Sequence, residues 1–207
     1  MADLITLKSG LDYRPGYLDR SSQERLVEGV RAVLRHAPLF QPVMPRTGKS
    51  LSVRMSNCGP LGWVADIKGY RYQHHHPLTG QPWPPMPAAL LDLWQDVSGY
   101  ARPPEACLIN HYAPGTRMGL HQDRDEQDGE APVVSVSLGD IGLFRFGNVT
   151  RGGKTGSVKL ASGDVIVMGG EARMIYHGVD RIMPGTSDLL RQPGRINLTL
   201  RRVTTPA

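Results

Sequence analysis

Cysteine is scarce in this chain: Cys58 and Cys107 are its only two. They form no C-x-x-C pair and no spaced framework. That excludes a zinc ribbon, a thioredoxin-like redox motif and a disulfide-stapled secreted scaffold. Both read as buried thiols in a reducing compartment. Long apolar runs are also missing. No stretch approaches the ~20 apolar residues that cross a bilayer, and Met1 to Gly10 carries Asp3 and Lys8 where a signal peptide is apolar. The expectation is a cytoplasmic protein without membrane contact. No internal repeat, heptad or low-complexity segment appears. Acidic residues fall short of basic ones, 19 against 24, for a net charge of +5. The shortfall favours an anionic partner, nucleic acid first.

What is present is ordinary globular material: 207 residues, 40% hydrophobic and 21% charged, enough for one domain with a buried core. Ser21-Ser22-Gln23-Glu24 reads as a capping box opening a helix to about His36, with Leu26, Val30, Val33 and Leu34 buried. Leu51, Val53 and Met55 alternate with polar residues as in a strand. Residues 59–87 are rich in Gly, Pro and aromatics, an irregular segment of the functional kind. A second helix is expected from Pro87 to Val97, burying Leu90, Leu91, Trp94 and Val97. Beyond Gly99 the pattern is strand and glycine-rich turn: 106–112, 133–138, 143–147, 156–160, 164–168, 173–177 and 195–202. The expected fold is α+β, mainly β: two helices packed on a jelly roll, with a flap over its mouth.

The chemistry concentrates in two places. His121-x-Asp123 with a distant His177 makes a facial triad, two imidazoles and a carboxylate that hold Fe(II) and leave positions open. Read singly, His121 is equally a residue of a solvated turn and His177 a hydrogen-bonded core histidine. The strand Arg195-Ile196-Asn197-Leu198-Thr199-Leu200-Arg201 puts Arg195, Asn197, Thr199 and Arg201 on one face. The bland reading is a half-buried strand with a wet face. The sharper one is a pair of guanidinium forks holding the two ends of a short dicarboxylate, helped by Asn110 and Tyr112 from another strand. His74-His75-His76 reads as a polar loop rather than a second metal site.

Six ordered segments over residues 50–202 resemble the AlkB family of Fe(II)/2-oxoglutarate dioxygenases. They are Asn57 to Trp63, Cys107 to Gly115, His121 to Glu126, Ser135 to Gly139, Tyr176 to Gly178 and Arg195 to Arg201. The resemblance implies a double-stranded β-helix core at 106–203 and a nucleotide-recognition flap at 51–87, within a single dioxygenase domain of 1–207. It implies Fe(II) on His121, Asp123 and His177, with 2-oxoglutarate and O2 as co-substrates. The distal carboxylate falls to Arg195 with Tyr112 and Asn197, the keto-acid end to Arg201 and Asn110. It also implies a flipped base met by Trp63, Tyr70, Asp125, Glu126 and Arg151. The implied activity is oxidative demethylation of 1-methyladenine and 3-methylcytosine in DNA, with RNA as a further option, releasing formaldehyde, succinate and CO2. The implied partner is alkylated single-stranded DNA, with duplex DNA or RNA next, met by a monomer whose Arg46, Lys49, Arg54 and Arg71 face the phosphates. The chain departs from the family's pattern at His111, where an arginine is expected, and at Met168, where a tryptophan is. Two other readings stay open: a dioxygenase of this fold acting on protein or a small molecule, and a non-catalytic basic nucleic-acid module with a structural metal. A structural metal predicts a closed coordination shell.

Overall fold

The computed structural model describes residues 3–205; the outermost residues of the expected 1–207 domain lie outside the described ones. Its elements are β1 (Ile5–Lys8), β2 (Leu11–Arg14), α1 (Arg20–His36), β3 (Arg54–Cys58), β4 (Gly62–Asp66), β5 (Gly69–Gln73), α2 (Ala88–Val97), β6 (Ala106–Tyr112), β7 (Met118–His121), β8 (Val133–Gly139), β9 (Ile141–Phe146), β10 (Gly156–Leu160), β11 (Val165–Met168), β12 (His177–Met183) and β13 (Arg195–Arg201). The mixed α+β expectation holds: mainly sheet, with two helices. One sheet has seven strands in the order β1-β2-β11-β8-β13-β6-β3, the second has four in the order β10-β9-β12-β7, and β4-β5 form a separate hairpin.

Strand β13 lies inside the large sheet, antiparallel to β6 and β8 on its two sides. All seven of its residues are buried, so the expected wet face does not exist. Its apolar side, Ile196, Leu198 and Leu200, joins a core cluster with Val134, Val136 and Ile109 and with Leu26, Val30, Leu90 and Trp94 of the helices. Its polar side faces the cavity described below.

The helices differ from expectation in detail. The cap of α1 is Asp19, which accepts from the Ser22 amide at 2.7 Å, two residues earlier than the Ser21 capping box. In α2 the buried positions are Leu90, Leu93, Trp94 and Val97; Leu91 is exposed, because helical spacing from Leu90 and Trp94 puts Leu93 on their side. The strand expected from Leu51 begins only at Arg54. No strand covers 173–177: a 3-10 turn at Gly170–Ala172 and the bends after it carry the chain to His177, where β12 starts. The irregular segment contains the hairpin β4–β5, with Trp63 opposite Tyr72 and Ala65 opposite Tyr70. His74-His75-His76 lies outside the helices and strands with His74 and His75 exposed, but His76 is buried. Its Nε2 donates to the Pro38 carbonyl at 2.8 Å, and its Nδ1 accepts from the Leu78 and Thr79 amides.

Leu198 is fully buried at the centre of β13. Leu198→Ala is expected to cost about 2–5 kcal/mol, the range for emptying such a site. Urea denaturation, with the midpoint falling at unchanged slope, measures it.

Candidate metal and co-substrate site

The two sheets contribute to one cavity of about 470 Å3. On one wall, β7 and β12 pair so that His121 stands directly opposite His177. Directly opposed residues of antiparallel strands share a face, and the two imidazole centroids are 4.6 Å apart. The register shifts between His177 and Val179, where Gly119 and Leu120 face Gly178 alone. That is the geometry of a β-bulge. A Cβ on Gly178 would lie 2.5 Å from the Met118 carbonyl and 2.8 Å from that of Gly119, so only glycine lets β7 come this close. Two residues past His121 the chain turns Asp123 back between the rings. Its oxygens are 3.6 Å from His121 Nε2 and 3.7 Å from His177 Nε2.

The ring tautomers follow from their other nitrogens. His121 Nδ1 lies 2.9 Å from the Gly119 carbonyl and His177 Nδ1 lies 3.1 Å from that of Ile175. A carbonyl only accepts, so each Nδ1 carries the proton and each Nε2 presents a lone pair. Asp123 is buried and its Oδ2 has no hydrogen-bond partner. Three acceptor atoms therefore face one another within 4.8 Å with no proton between them. A divalent cation is what such a donor set fits, and the carbonyl-oriented imidazoles match the outer shell that metal-binding histidines usually have. Burial opposes the charge of Asp123, but Arg201, at 2.7 Å, with the two histidines keeps its carboxyl well below the usual range. Burial pushes His177 down to about 4, so it is neutral and able to ligate at pH 7.

The polar side of β13 forms the opposite wall. Arg195 is buried, and its three hydrogen bonds all go to neutral oxygens: Ser137 Oγ at 2.6 Å and the Leu160 and Asp140 carbonyls at 3.3 and 3.4 Å. Its Nε has no partner, and burial lowers its pKa to about 10. A buried cation hydrogen-bonded only to neutral oxygens has room for an anion. Gly142 permits this placement, since a Cβ there would lie 3.0 Å from Arg195 Nε. Tyr112 is the cross-strand neighbour of Arg195, and Asn110 that of Asn197; Asn197 donates to Ser135 Oγ at 2.7 Å, while Asn110 Oδ1 is unpartnered. The two arginines of β13 differ in their company. Arg201 is already engaged, with Asp123 at 2.7 Å and Glu126 at 3.0 Å, which places it at the metal end; Arg195 is the unpaired one.

At the mouth, Trp63 donates from Nε1 to Asp125 Oδ2 at 2.8 Å and stacks on Tyr70 at 5.7 Å. Trp63, Tyr70, Asp125 and Arg151 line the cavity, and Met168 forms part of its wall. Glu126, grouped with them from sequence, does not reach it. Its side chain is fully buried and held by Arg173, Arg201 and the Tyr72 hydroxyl. Arg71 pairs with Asp66 through both carboxylate oxygens, while exposed Arg54 donates only from Nη2, to the Leu39 carbonyl. Sequence reasoning missed Arg173, which donates to the Asp123 carbonyl at 2.6 Å, and the spacing role of Gly178. A lone arginine in a turn carries no pattern that would mark it.

The profile of the 2OG-Fe(II) oxygenase superfamily matches residues 10–201. The chain is 53% identical over 205 residues to an alpha-ketoglutarate-dependent dioxygenase AlkB homolog of Caulobacter vibrioides, covering 99% of this chain and 93% of that one. It is 42% identical to alpha-ketoglutarate-dependent dioxygenase AlkB of Escherichia coli over 186 residues, 88% of this chain and 85% of that one. The solved structure of OsALKBH1 superposes with a TM-score of 0.84 at 31% identity, covering 97% of this chain and all of that one. The chain belongs to the 2OG-Fe(II) oxygenase superfamily and, within it, to the AlkB dioxygenases. Its activity is accordingly that of an Fe(II)/2-oxoglutarate-dependent dioxygenase.

The depressed His177 pKa has a measurable sign. Above about pH 6.5 the ring is neutral folded or unfolded and has no effect. As pH falls from there towards about 4, the unfolded chain takes up a proton that the folded chain refuses. Stability is lost through that window. Metal-free protein held with a chelator is expected to show a falling melting temperature between pH 7 and 5, and His177→Gln a flatter profile.

Proposed function

We propose that the protein removes alkyl groups oxidatively from nucleic-acid bases, with 1-methyladenine and 3-methylcytosine in single-stranded DNA as first substrates and RNA as a further one. The observation that carries this is one cavity with a metal-ligand set, an unpaired buried arginine and a tryptophan tied to a carboxylate at its mouth. In this reading the facing sheets are a double-stranded β-helix spanning 106–203, residues 51–87 are a nucleotide-recognition flap on it, and the protein is a cytoplasmic monomer.

His121, Asp123 and His177 would hold Fe(II). Arg195, with Tyr112 and Asn197, would take the far carboxylate of 2-oxoglutarate, and Arg201 and Asn110 would lie at its keto-acid end. Bound iron would supply the oxidising power by coupling 2-oxoglutarate and O2 to succinate and CO2 with hydroxylation of an N-methyl group, which then leaves the base as formaldehyde. The chain's own share is position. A target base must leave its stack to reach the cavity, which costs a few kcal/mol and least for a base whose pairing is already blocked. Trp63 offers a stacking face worth about 1–3 kcal/mol, and Arg151 stands beside it. Asp125 puts a negative charge where a cationic methylated base would sit. His121 lines the cavity and its side chain is 40% exposed, which favours an open ligand set over a closed structural metal site.

Two measurements test the reading. Mass spectrometry of methylated oligonucleotides, with and without 2-oxoglutarate, is expected to show demethylation only when it is present. In Asp125→Ala the rate ratio of 1-methyladenine to 1-methylguanine is expected to fall, because only the first base is cationic; an unchanged ratio means that Asp125 does not read charge. No demethylation of any base by the iron-loaded wild type would remove the nucleic-acid reading in favour of a protein or small-molecule substrate. Separately, Arg195→Ala is expected to raise the 2-oxoglutarate requirement at least about tenfold, since a charge-assisted contact is worth ~1.5–3 kcal/mol. Arg195→Lys rescues poorly if the planar fork matters.

A further inference from the structure

Beneath the ligand set lies a buried chain of charges that the activity just described does not require. Asp123, Arg201, Glu126 and Arg173 alternate in sign, and each side chain is less than a tenth exposed. Arg201 spends its two terminal nitrogens differently: Nη2 lies 2.7 Å from Asp123 Oδ1, while Nη1 lies 3.0 Å from Glu126 Oε1 and donates to the Tyr72 hydroxyl at 3.0 Å. Glu126 Oε2 meets Arg173 at 3.0 Å. Arg173 in turn donates to the backbone carbonyls of Asp123 and Ala131, at 2.6 and 2.8 Å.

A guanidinium beside a carboxylate prefers to take both of its oxygens. Arg201 takes one. Asp123 Oδ2 is left without a partner, aimed at the histidines. Arg201 Nε is buried and likewise without a partner, so the set of the guanidinium, not a lack of donors, keeps the contact single; Glu126, helped by Tyr72, fixes that set through the Nη1 arm. Without its negative charge, only the neutral Tyr72 hydroxyl competes with Asp123 for that arm.

We propose that Glu126 is a positioning residue for the metal site: by holding Arg201 to a single oxygen of Asp123, it keeps Oδ2 free to ligate the metal, and through Arg173 it fixes the Asp123 backbone as well. The Tyr72 contact extends this hold to β5, so the hairpin that carries Trp63 is latched to the metal loop at Tyr72–Glu126 and Trp63–Asp125. The proposal rests on the assignment of Asp123 as a metal ligand.

The test is a Co(II) titration followed by visible absorption, without 2-oxoglutarate or nucleic acid. Glu126→Gln keeps the shape and removes the charge; it is expected to weaken Co(II) binding about tenfold and to alter the cobalt spectrum, the scale seen when an outer-shell partner is lost. In the Arg201→Gln background, where the competing arm is gone, the same change is expected to cost less than about twofold, a non-additivity that general loosening of the fold would not give. Wild-type affinity in Glu126→Gln, or an equal loss in both backgrounds, overturns the proposal. Should Glu126→Gln not fold, Tyr72→Phe removes one restraint on Arg201, and Co(II) binding no weaker than in wild type overturns it. Asp123→Ala separates the two levels: if it binds Co(II) like wild type, the metal assignment falls and the proposal with it. If it loses Co(II) while Glu126→Gln does not, the proposal alone falls.

Discussion

The site depends on an electrostatic conflict: three lone-pair atoms, from His121, Asp123 and His177, brought to within 4.8 Å of one another in a largely buried place. Nothing in a neutral core would hold them there. The backbone does much of it, because opposed positions on β7 and β12 leave the two imidazoles no other direction, and a glycine at 178 lets the strands approach. Arg201 does the rest, supplying positive charge behind Asp123 without occupying its free oxygen. The polypeptide therefore accepts a locally unfavourable arrangement in the folded state, which a bound cation relieves.

Sheet topology separates this demand from the demands of stability. The central strand β13 is buried on both faces, and the faces have different tasks. Ile196, Leu198 and Leu200 pack with the helices in an apolar cluster, while Arg195, Asn197, Thr199 and Arg201 line the cavity. The period of two along a strand keeps the tasks apart. A polar row inside a protein is tolerable only if its atoms are satisfied. Most here are, through Ser135, Ser137 and main-chain carbonyls; the unpartnered atoms of the row are Arg195 Nε and Arg201 Nε, and the cavity-lining residues Asn110 and Asp123 each add an unpartnered oxygen.

Much of this could be read in the sequence where function uses a local pattern. His121-x-Asp123 is such a pattern, and the alternation of β13 is another. The parts that could not be read depend on contacts remote in sequence or on side-chain direction. Glu126 sits next to Asp125, yet their side chains part, one to Trp63 and one to Arg173 and Arg201. Its partner Arg173 lies 47 residues away. The apolar residues before His177 imitate a strand, but they belong to a turn whose direction is set by Gly169 and Gly170. Within residues 59–87, aromatics and prolines hide a regular hairpin whose tip is marked only by Asp66 and Gly69.

The four-residue strand β7 stands at the edge of the small sheet, paired on one side only, whereas β12 is paired on both. One histidine of the ligand set thus belongs to the part of its sheet most prone to fray, and the other to its interior. Local opening in proteins starts where hydrogen bonding is one-sided. A metal held by both histidines would act as a clasp on that edge, and its release would follow the fluctuations of β7 rather than the global unfolding of the domain. Metal retention and edge-strand protection would then be one quantity, seen from its two ends.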